Sequence, residues 1–296
     1  MNILLNIILP YFQILRINNW TKNLLIFLPI FSAHNFSNDF LLNTLFIFLI
    51  FSISASSMYI LNDYFDYKKD LLNTSKKKRP IASGRISKKN ALVLFSFLQL
   101  FLIITLILVD NFKLLLFITF YNFVVLIYTL KIKNFKFFDV STLAVLFLYR
   151  VFIGAEFNDL ELSIWIINFI FFLFLGLGLL KRYAELNSKF VNKKNFYKIR
   201  PYQILDKEKI SLLSILCIAI STILLTIYFS SDKISELYEN KEYLYIIPPL
   251  FFIYFLLIYD KMTVNQFVED PINYCLKLKS SWIFMLIILN LGYLAI

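Results

Sequence analysis

Ala55-Ser56-Ser57-Met58-Tyr59-Ile60-Leu61-Asn62-Asp63-Tyr64-Phe65-Asp66-Tyr67-Lys68-Lys69-Asp70 is the stretch on which the fold turns. An apolar run from about Phe40 to Leu61 feeds straight into it, and one continuing helix places Asp63, Asp66 and Asp70 at i, i+3 and i+7. That spacing sets three carboxylates on a single face. Within ten residues the sign reverses, with Lys76, Lys77, Lys78, Arg79 and then Arg85. An acidic stripe facing a basic loop at the mouth of an apolar body suits Mg²⁺ with a diphosphate. The ion takes one or two protein carboxylates and fills its octahedral shell with water and phosphate oxygens, while Arg and Lys meet the remaining anionic charge. The plainer alternative is a helix end that carries both signs of charge because it has reached water.

Working outward, the 296 residues are 59% hydrophobic and only 17% charged, with a mean hydropathy of +0.72. Apolar runs of about 20 residues, the length that spans a bilayer, recur along the chain. Such a pattern predicts an all-α polytopic membrane protein, since the strand alternation of a barrel is absent. The net charge of +11 does not point to nucleic acid. All of the Lys and Arg except Lys113, Lys233, Lys241 and Arg150 fall in segments on one side of the expected membrane, which the positive-inside rule makes cytoplasmic. Cys217 in a span and Cys275 in a loop give no disulfide framework. His34 is the only histidine, which excludes multi-histidine metal sites and argues against a histidine base. Met1 to Pro10 lacks the charged leader and small-residue cleavage site of a secretory signal. Enrichment in Lys, Asn, Ile and Phe fits a genome-wide composition bias.

Nine spans are expected, in one domain over 1–296, with the amino terminus inside. Residues 3 to 16 form an amphipathic or shallow helix; the first span follows Arg16 and runs to Ser32, with Trp20 at headgroup level and Lys22 either a snorkelling anchor or a phosphate ligand. The second is Phe40 to Leu61. A short turn at Asp110-Asn111 joins the third, Ala91 to Val109, to the fourth, ending near Leu130, as an antiparallel hairpin. The next connection, Tyr128 to Asp139, carries Lys133, Lys136 and Asp139 to the same face as Asp63. Span five, Phe137 to Ala155, holds Arg150, whose cost in an apolar span demands a partner; structural pairing and an anionic ligand are both open, with the ligand favoured. In span six, Ile164 to Leu180, Gly176 and Gly178 predict close helix packing. It ends in Lys181-Arg182-Tyr183-Ala184-Glu185-Leu186, where Lys181 and Glu185 are i and i+4 neighbours. Spans seven, Ile210 to Phe229, eight, Tyr243 to Tyr259 with a bend at Pro248-Pro249, and nine, Ser280 to Ile296, complete the chain.

Asn62-Asp63-x-x-Asp66-x-x-x-Asp70 resembles the first signature of the UbiA-type prenyltransferase superfamily, nine-helix membrane enzymes. More narrowly, four segments are similar to its decaprenyl-phosphate phosphoribosyltransferase branch: Arg16-x-x-x-Trp20-x-Lys22-Asn23; Ala55 through Asn62 to Arg79-Pro80-Ile81-Ala82-x-Gly84; Tyr128-x-x-x-x-Lys133 with Asp139 and Arg150; and Lys181 to Leu186. Typical aromatic prenyltransferases have a second aspartate-rich motif at the last position, where this chain has only Glu185 among cations.

The resemblance implies a UbiA-like bundle in the cell (inner) membrane with its active site facing the cytoplasm. It also implies Mg²⁺-dependent transfer of phosphoribose from phosphoribosyl diphosphate to a polyprenyl phosphate, for a cell-envelope lipid. Asp63 and Asp66 would hold Mg²⁺, with Asn62 and Asp70 in support. Arg79, Lys76 and Lys133 would neutralise the departing diphosphate; Tyr128, Asp139, Lys181 and Glu185 would line the substrates. Arg150, Lys22 and Arg182 would take the lipid phosphate or the ribose 5-phosphate, in either assignment. A departure lies after Pro271, where Ile272-Asn273-Tyr274-Cys275-Leu276-Lys277-Leu278 replaces the acidic run typical of the branch. The alternatives are prenyl transfer to an aromatic or quinone-like acceptor and, more remotely, a membrane transporter. Homo-oligomerisation is left open.

Overall fold

The computed structural model describes residues 2–34, 36–73, 76–187, 201–264 and 271–296, and every regular element among them is helical. In chain order they are α1 (Asn2–Leu15), a 3₁₀ stretch (Ile17–Phe27), α2 (Leu28–Ser32), α3 (Asn38–Leu71), α4 (Lys88–Leu108), α5 (Phe112–Leu130), α6 (Phe138–Glu156), α7 (Ile164–Asn187), α8 (Lys207–Phe229), α9 (Asp232–Leu237), α10 (Ile247–Val264), α11 (Pro271–Lys277) and α12 (Lys279–Ala295). Among the described residues seven helices are long and apolar enough to cross a membrane. The two other expected spans differ: residues 17–32 are a 3₁₀ stretch plus the short α2, and α12 is an apolar helix of 17 residues.

The chain divides into two compact units: the first gathers the described residues of Met1–Asp139, Tyr149–Leu160 and Lys198–Pro201, the second those of Val140–Leu148, Glu161–Tyr197 and Tyr202–Ile296. In the first unit α3 is the hub. Its apolar window is 61% buried, whereas those of α4 and of the α5 segment are each 17% buried and leave most of their Phe, Leu and Ile side chains facing outward. Small residues make that burial possible, because Ser52, Ser54, Ser56 and Ser57 let neighbouring backbones come close and give each a hydrogen-bond partner. Trp20 Nε1 donates to Ser56 at 2.9 Å and Asn23 Nδ2 to Ser52 at 2.9 Å. On other faces, Ser54 donates to Asn122 at 2.7 Å and Gln99 to Ser57 at 2.6 Å.

The 3₁₀ geometry of residues 17–27 has a physical use. A 3₁₀ helix rises about 2.0 Å per residue against about 1.5 Å in an α-helix. The seven steps from Arg16 to Asn23 therefore cover about 14 Å, close to the roughly 16 Å that α3 covers between Asp63 and Ser52. Arg16, Trp20 and Asn23 thus reach Asp63, Ser56 and Ser52 in register. Gly154 of α6 permits the approach on the other side, since a Cβ there would lie 2.0 Å from the Ile26 carbonyl oxygen.

The expected α4–α5 hairpin is present. Asp110 takes a left-handed φ of 54°, and Asn111 caps α5 by accepting from the Leu114 N–H at 2.9 Å. In the second unit α7 packs on α8, where Gly176 leaves room for Ile218, 2.8 Å from where a Cβ would stand, and its carbonyl accepts from Ser214 at 2.8 Å. Pro248 and Pro249, where a bend is expected, fall inside the candidate span Lys241–Thr263 at the junction of its 3₁₀ and α parts. They lie in the first turn of α10, directly after the 3₁₀ turn Lys241–Ile246, where a proline's missing N–H would have no helical acceptor.

Candidate active site

Helix α3 runs unbroken to Leu71, so the acidic residues are carried past the apolar span on one rigid element. Asp63 is 1% exposed and Asp70 is 4% exposed. Arg79, directly after the 3₁₀ turn Lys76–Lys78, donates through one nitrogen to Asp63 Oδ1 at 3.0 Å and to Asp70 Oδ2 at 2.8 Å. A second guanidinium, that of Arg16, also donates to Asp63 Oδ1 and stands 5.1 Å from the Tyr59 ring centre. Burial works against the Arg16 charge, but Asp63 beside it, together with Tyr59 and Asp70, outweighs that and holds the guanidinium above its ordinary pKa. One turn along, Lys133 Nζ donates to Asp66 Oδ1 at 2.6 Å. Each carboxylate of the stripe therefore meets a cation from elsewhere in the first unit.

Asp63 Oδ2 is buried and has no hydrogen-bond partner. An ionised oxygen removed from water without a partner is costly, so this atom is where the site has capacity for a further cation. Among the described residues no three His, Cys, Asp or Glu converge as a metal group. A lone buried carboxylate oxygen with Asp66 nearby in sequence nevertheless fits Mg²⁺, which needs few protein ligands when phosphate supplies the rest. Asn62, named with them, accepts from Thr129 through its side-chain oxygen at 3.4 Å.

The other expected residues fall into two sets. Tyr128, Lys133, Asp139 and Arg150 are buried and belong with the aspartates to the first unit; Lys76 and Lys22 there are half-buried. Arg150 Nε donates to Asn23 Oδ1 at 2.8 Å and NH2 to the Tyr121 hydroxyl at 3.4 Å, with the Phe51 ring centre 5.1 Å away. A neutral amide, a phenol and an aromatic face are thus among the groups that hold this guanidinium inside the span. Asn23→Ala removes the Nε acceptor from a buried cation. It should cost about 1–3 kcal/mol of stability, seen as a lower melting temperature in detergent, while Ser52→Ala, which leaves Arg150 its amide acceptor, should cost less.

Lys181, Arg182 and Glu185 sit on α7 in the second unit. Arg182, 1% exposed, pairs with Glu185 at 2.6 Å, so the single acid of that segment serves a buried arginine. Glu269 and Asp270, just before Pro271, and residues 188–200 of the Lys-rich stretch after α7 lie outside the described residues. Arg16 and Asn23 stand within a quoted motif without an expected role, and Gln99 and Asn122 lie in apolar spans with no expectation attached. The signal available was a set of polar side chains inside apolar segments.

These features define a class: a helical bundle whose longest helix delivers a buried, cation-ringed carboxylate to the end of an apolar body. The chain belongs to the UbiA prenyltransferase family, whose model matches residues 24–238. It is 30% identical over 271 residues, 90% of its length and 52% of the relative's, to the uncharacterised protein y4nM of Sinorhizobium fredii. It is 30% identical over 190 residues to the decaprenyl-phosphate phosphoribosyltransferase of Mycolicibacterium smegmatis, covering 61% of this chain and 58% of that one. The chain thus spans about half the length of the curated relatives it matches. Among solved structures, a UbiA homologue from Archaeoglobus fulgidus bound to GPP and Mg²⁺ superposes with a TM-score of 0.66 at 18% identity, over 97% of this chain and 95% of that one. At that identity the likeness concerns the fold.

Proposed function

We propose that this chain transfers 5-phosphoribose from phosphoribosyl diphosphate to a polyprenyl phosphate. The observation that carries the reading is the partnerless buried Oδ2 of Asp63 within a ring of cations. A diphosphate leaving group calls for that combination, and two relatives named as decaprenyl-phosphate phosphoribosyltransferases support the choice of donor. The pairing of Glu185 with Arg182 supports it further, because a prenyl donor held by a second aspartate-rich motif would want that position acidic and uncommitted.

Asp63 and Asp66 would hold Mg²⁺, with Asn62 and Asp70 supporting, and the ion when bound supplies charge withdrawal from the diphosphate. Arg79 and Lys133 stabilise the charge that develops as the diphosphate departs from the anomeric carbon, and being fixed beforehand they need no reorganisation. Arg79 leans on Asp70 and Lys133 on Asp66 before substrate enters, so both cations are aimed in advance. The lipid phosphate is itself an anionic nucleophile near neutral pH, so no histidine base is needed. Arg150, Lys22 and Arg182 would take the lipid phosphate or the ribose 5-phosphate, in either assignment, and Lys181 and Glu185 would line the substrates. Tyr128 and Asp139 would line the ribose, and the apolar spans would hold the isoprenoid tail. Nine spans in a single domain, with the basic loops and this site facing the cytoplasm from the inner membrane, complete the proposed arrangement.

The test is turnover by the full chain in detergent with phosphoribosyl diphosphate and a polyprenyl phosphate, set against a prenyl diphosphate with an aromatic acid. A ribose-phosphorylated lipid is the expected product, lost on chelation with EDTA and restored by Mg²⁺. Formation of the prenylated aromatic alone would reject the proposal.

A further inference from the structure

We infer that Arg16 makes divalent-metal capture at Asp63 conditional on a diphosphate, so that metal and diphosphate enter the site as a pair and a bare metal ion is kept out. This rests on Asp63 as a metal ligand, and it adds a residue outside the signature on α3 and an order of binding. Asp63 Oδ1 already accepts from two guanidinia, Arg16 and Arg79. Asp70 shares Arg79, and Asp66 has Lys133. The stripe of three carboxylates is therefore met by three cations before any metal arrives.

A bare dication at Oδ2 would sit on the far oxygen of a carboxylate whose charge is spoken for, with two guanidinia close by. Asp63 is 1% exposed, so water does little to screen that repulsion. A diphosphate reverses the sign of the interaction. It brings several negative charges, and the same guanidinia become its ligands through charge-assisted hydrogen bonds. Binding of either species then favours the other, by the same factor in both directions.

Arg16, more than Arg79, carries this conditionality. Arg79 has Asp70 as a second carboxylate, whereas among the described residues Asp63 is the one ion-pair partner of Arg16. Arg16 is also held in place, at a left-handed φ of 50° between α1 and the 3₁₀ stretch, in the register that Trp20 and Asn23 fix on α3. It acts on the metal through Asp63 and on the diphosphate directly, as a binding residue.

The test uses the full chain in detergent, Mn²⁺ as the metal probe and inorganic diphosphate as the anion, with protein-bound Mn²⁺ measured by ultrafiltration. Inorganic diphosphate is common to sugar and prenyl donors, so the result is independent of which donor the enzyme uses. Wild type should hold Mn²⁺ at least about tenfold more tightly with diphosphate than without. In Arg16→Gln, Mn²⁺ alone should bind roughly tenfold more tightly than in wild type and the gain from diphosphate should shrink. Arg16→Lys, which keeps the charge, should restore the wild-type pattern. A residue with only a structural role would lower Mn²⁺ retention in both conditions. Arg16→Met carries the same expectation as Arg16→Gln, should the glutamine variant fail to fold. Equal Mn²⁺ affinity of wild type with and without diphosphate, or no gain for Mn²⁺ alone in the Arg16 variants, overturns the inference. Undiminished Mn²⁺ binding by Asp63→Asn would instead remove Asp63 as a ligand, a separate failure.

Discussion

Asp63→Asn is expected to lower turnover by on the order of a thousandfold or more, the scale seen when a group that stabilises transition-state charge is removed, with little change in melting temperature. Asparagine keeps the shape of the side chain and takes away its charge. The usual danger in breaking a buried ion pair is the charge left behind without a partner. Here the buried member is the one removed: the Asp63 side chain is 1% exposed, while Arg16 and Arg79 are 21% and 23% exposed and can turn to water. Arg79 also keeps Asp70 at 2.8 Å. Turnover with phosphoribosyl diphosphate and polyprenyl phosphate, measured beside a thermal melt of the same preparation, checks both halves. Parallel loss of folded protein and activity would mark Asp63 as structural and contradict the proposed chemistry.

Gly154→Ala should be the most damaging single methyl group in the first unit. Its Cβ would stand 2.0 Å from the Ile26 carbonyl oxygen and 2.9 Å from the carbonyl carbon. Both are backbone atoms and cannot swing aside, so α6 and the 3₁₀ stretch must part. Overpacking of this kind costs about 1–3 kcal/mol and occasionally more. The same displacement would loosen Asn23 from Arg150 and Trp20 from Ser56, which join these segments to α3 and α6. A melting temperature in detergent several degrees below wild type, with a larger fall in activity than stability alone predicts, is the expected result. Gly292→Ala is the control, since a Cβ there meets nothing within 4 Å and alanine is the better helix former; an equal loss in both variants would contradict the close approach as the cause.

Much of the site's local chemistry is legible along the chain. The apolar run into Asn62, Asp63, Asp66 and Asp70 announces one continuous helix, and α3 is that helix. The α4–α5 turn is signalled by Asp110-Asn111, and α6 begins and ends within a residue of the expected limits. Lys133 shares a face with the acidic stripe as the basic connection suggests, here through Asp66. The 3₁₀ stretch is different: its residues fit an ordinary apolar span by composition, and its tighter winding is selected by contacts with α3 that no 3.6-residue periodicity reveals. The role of Pro248-Pro249 turned on where α10 starts, a boundary set by the preceding 3₁₀ turn.

The sequence by itself determined that the chain is helical and apolar, that its carboxylates share a face, and that cations follow them closely, because periodicity, hydropathy and charge order are local properties. Which cation meets which carboxylate was decided only by tertiary structure. Arg16 reaches Asp63 across 47 positions and Arg150 reaches Asn23 across 127, separations over which side-chain spacing along one helix carries no information. The bare Oδ2 of Asp63 is likewise a product of packing, since burial and the direction of both guanidinia depend on neighbours brought together by folding.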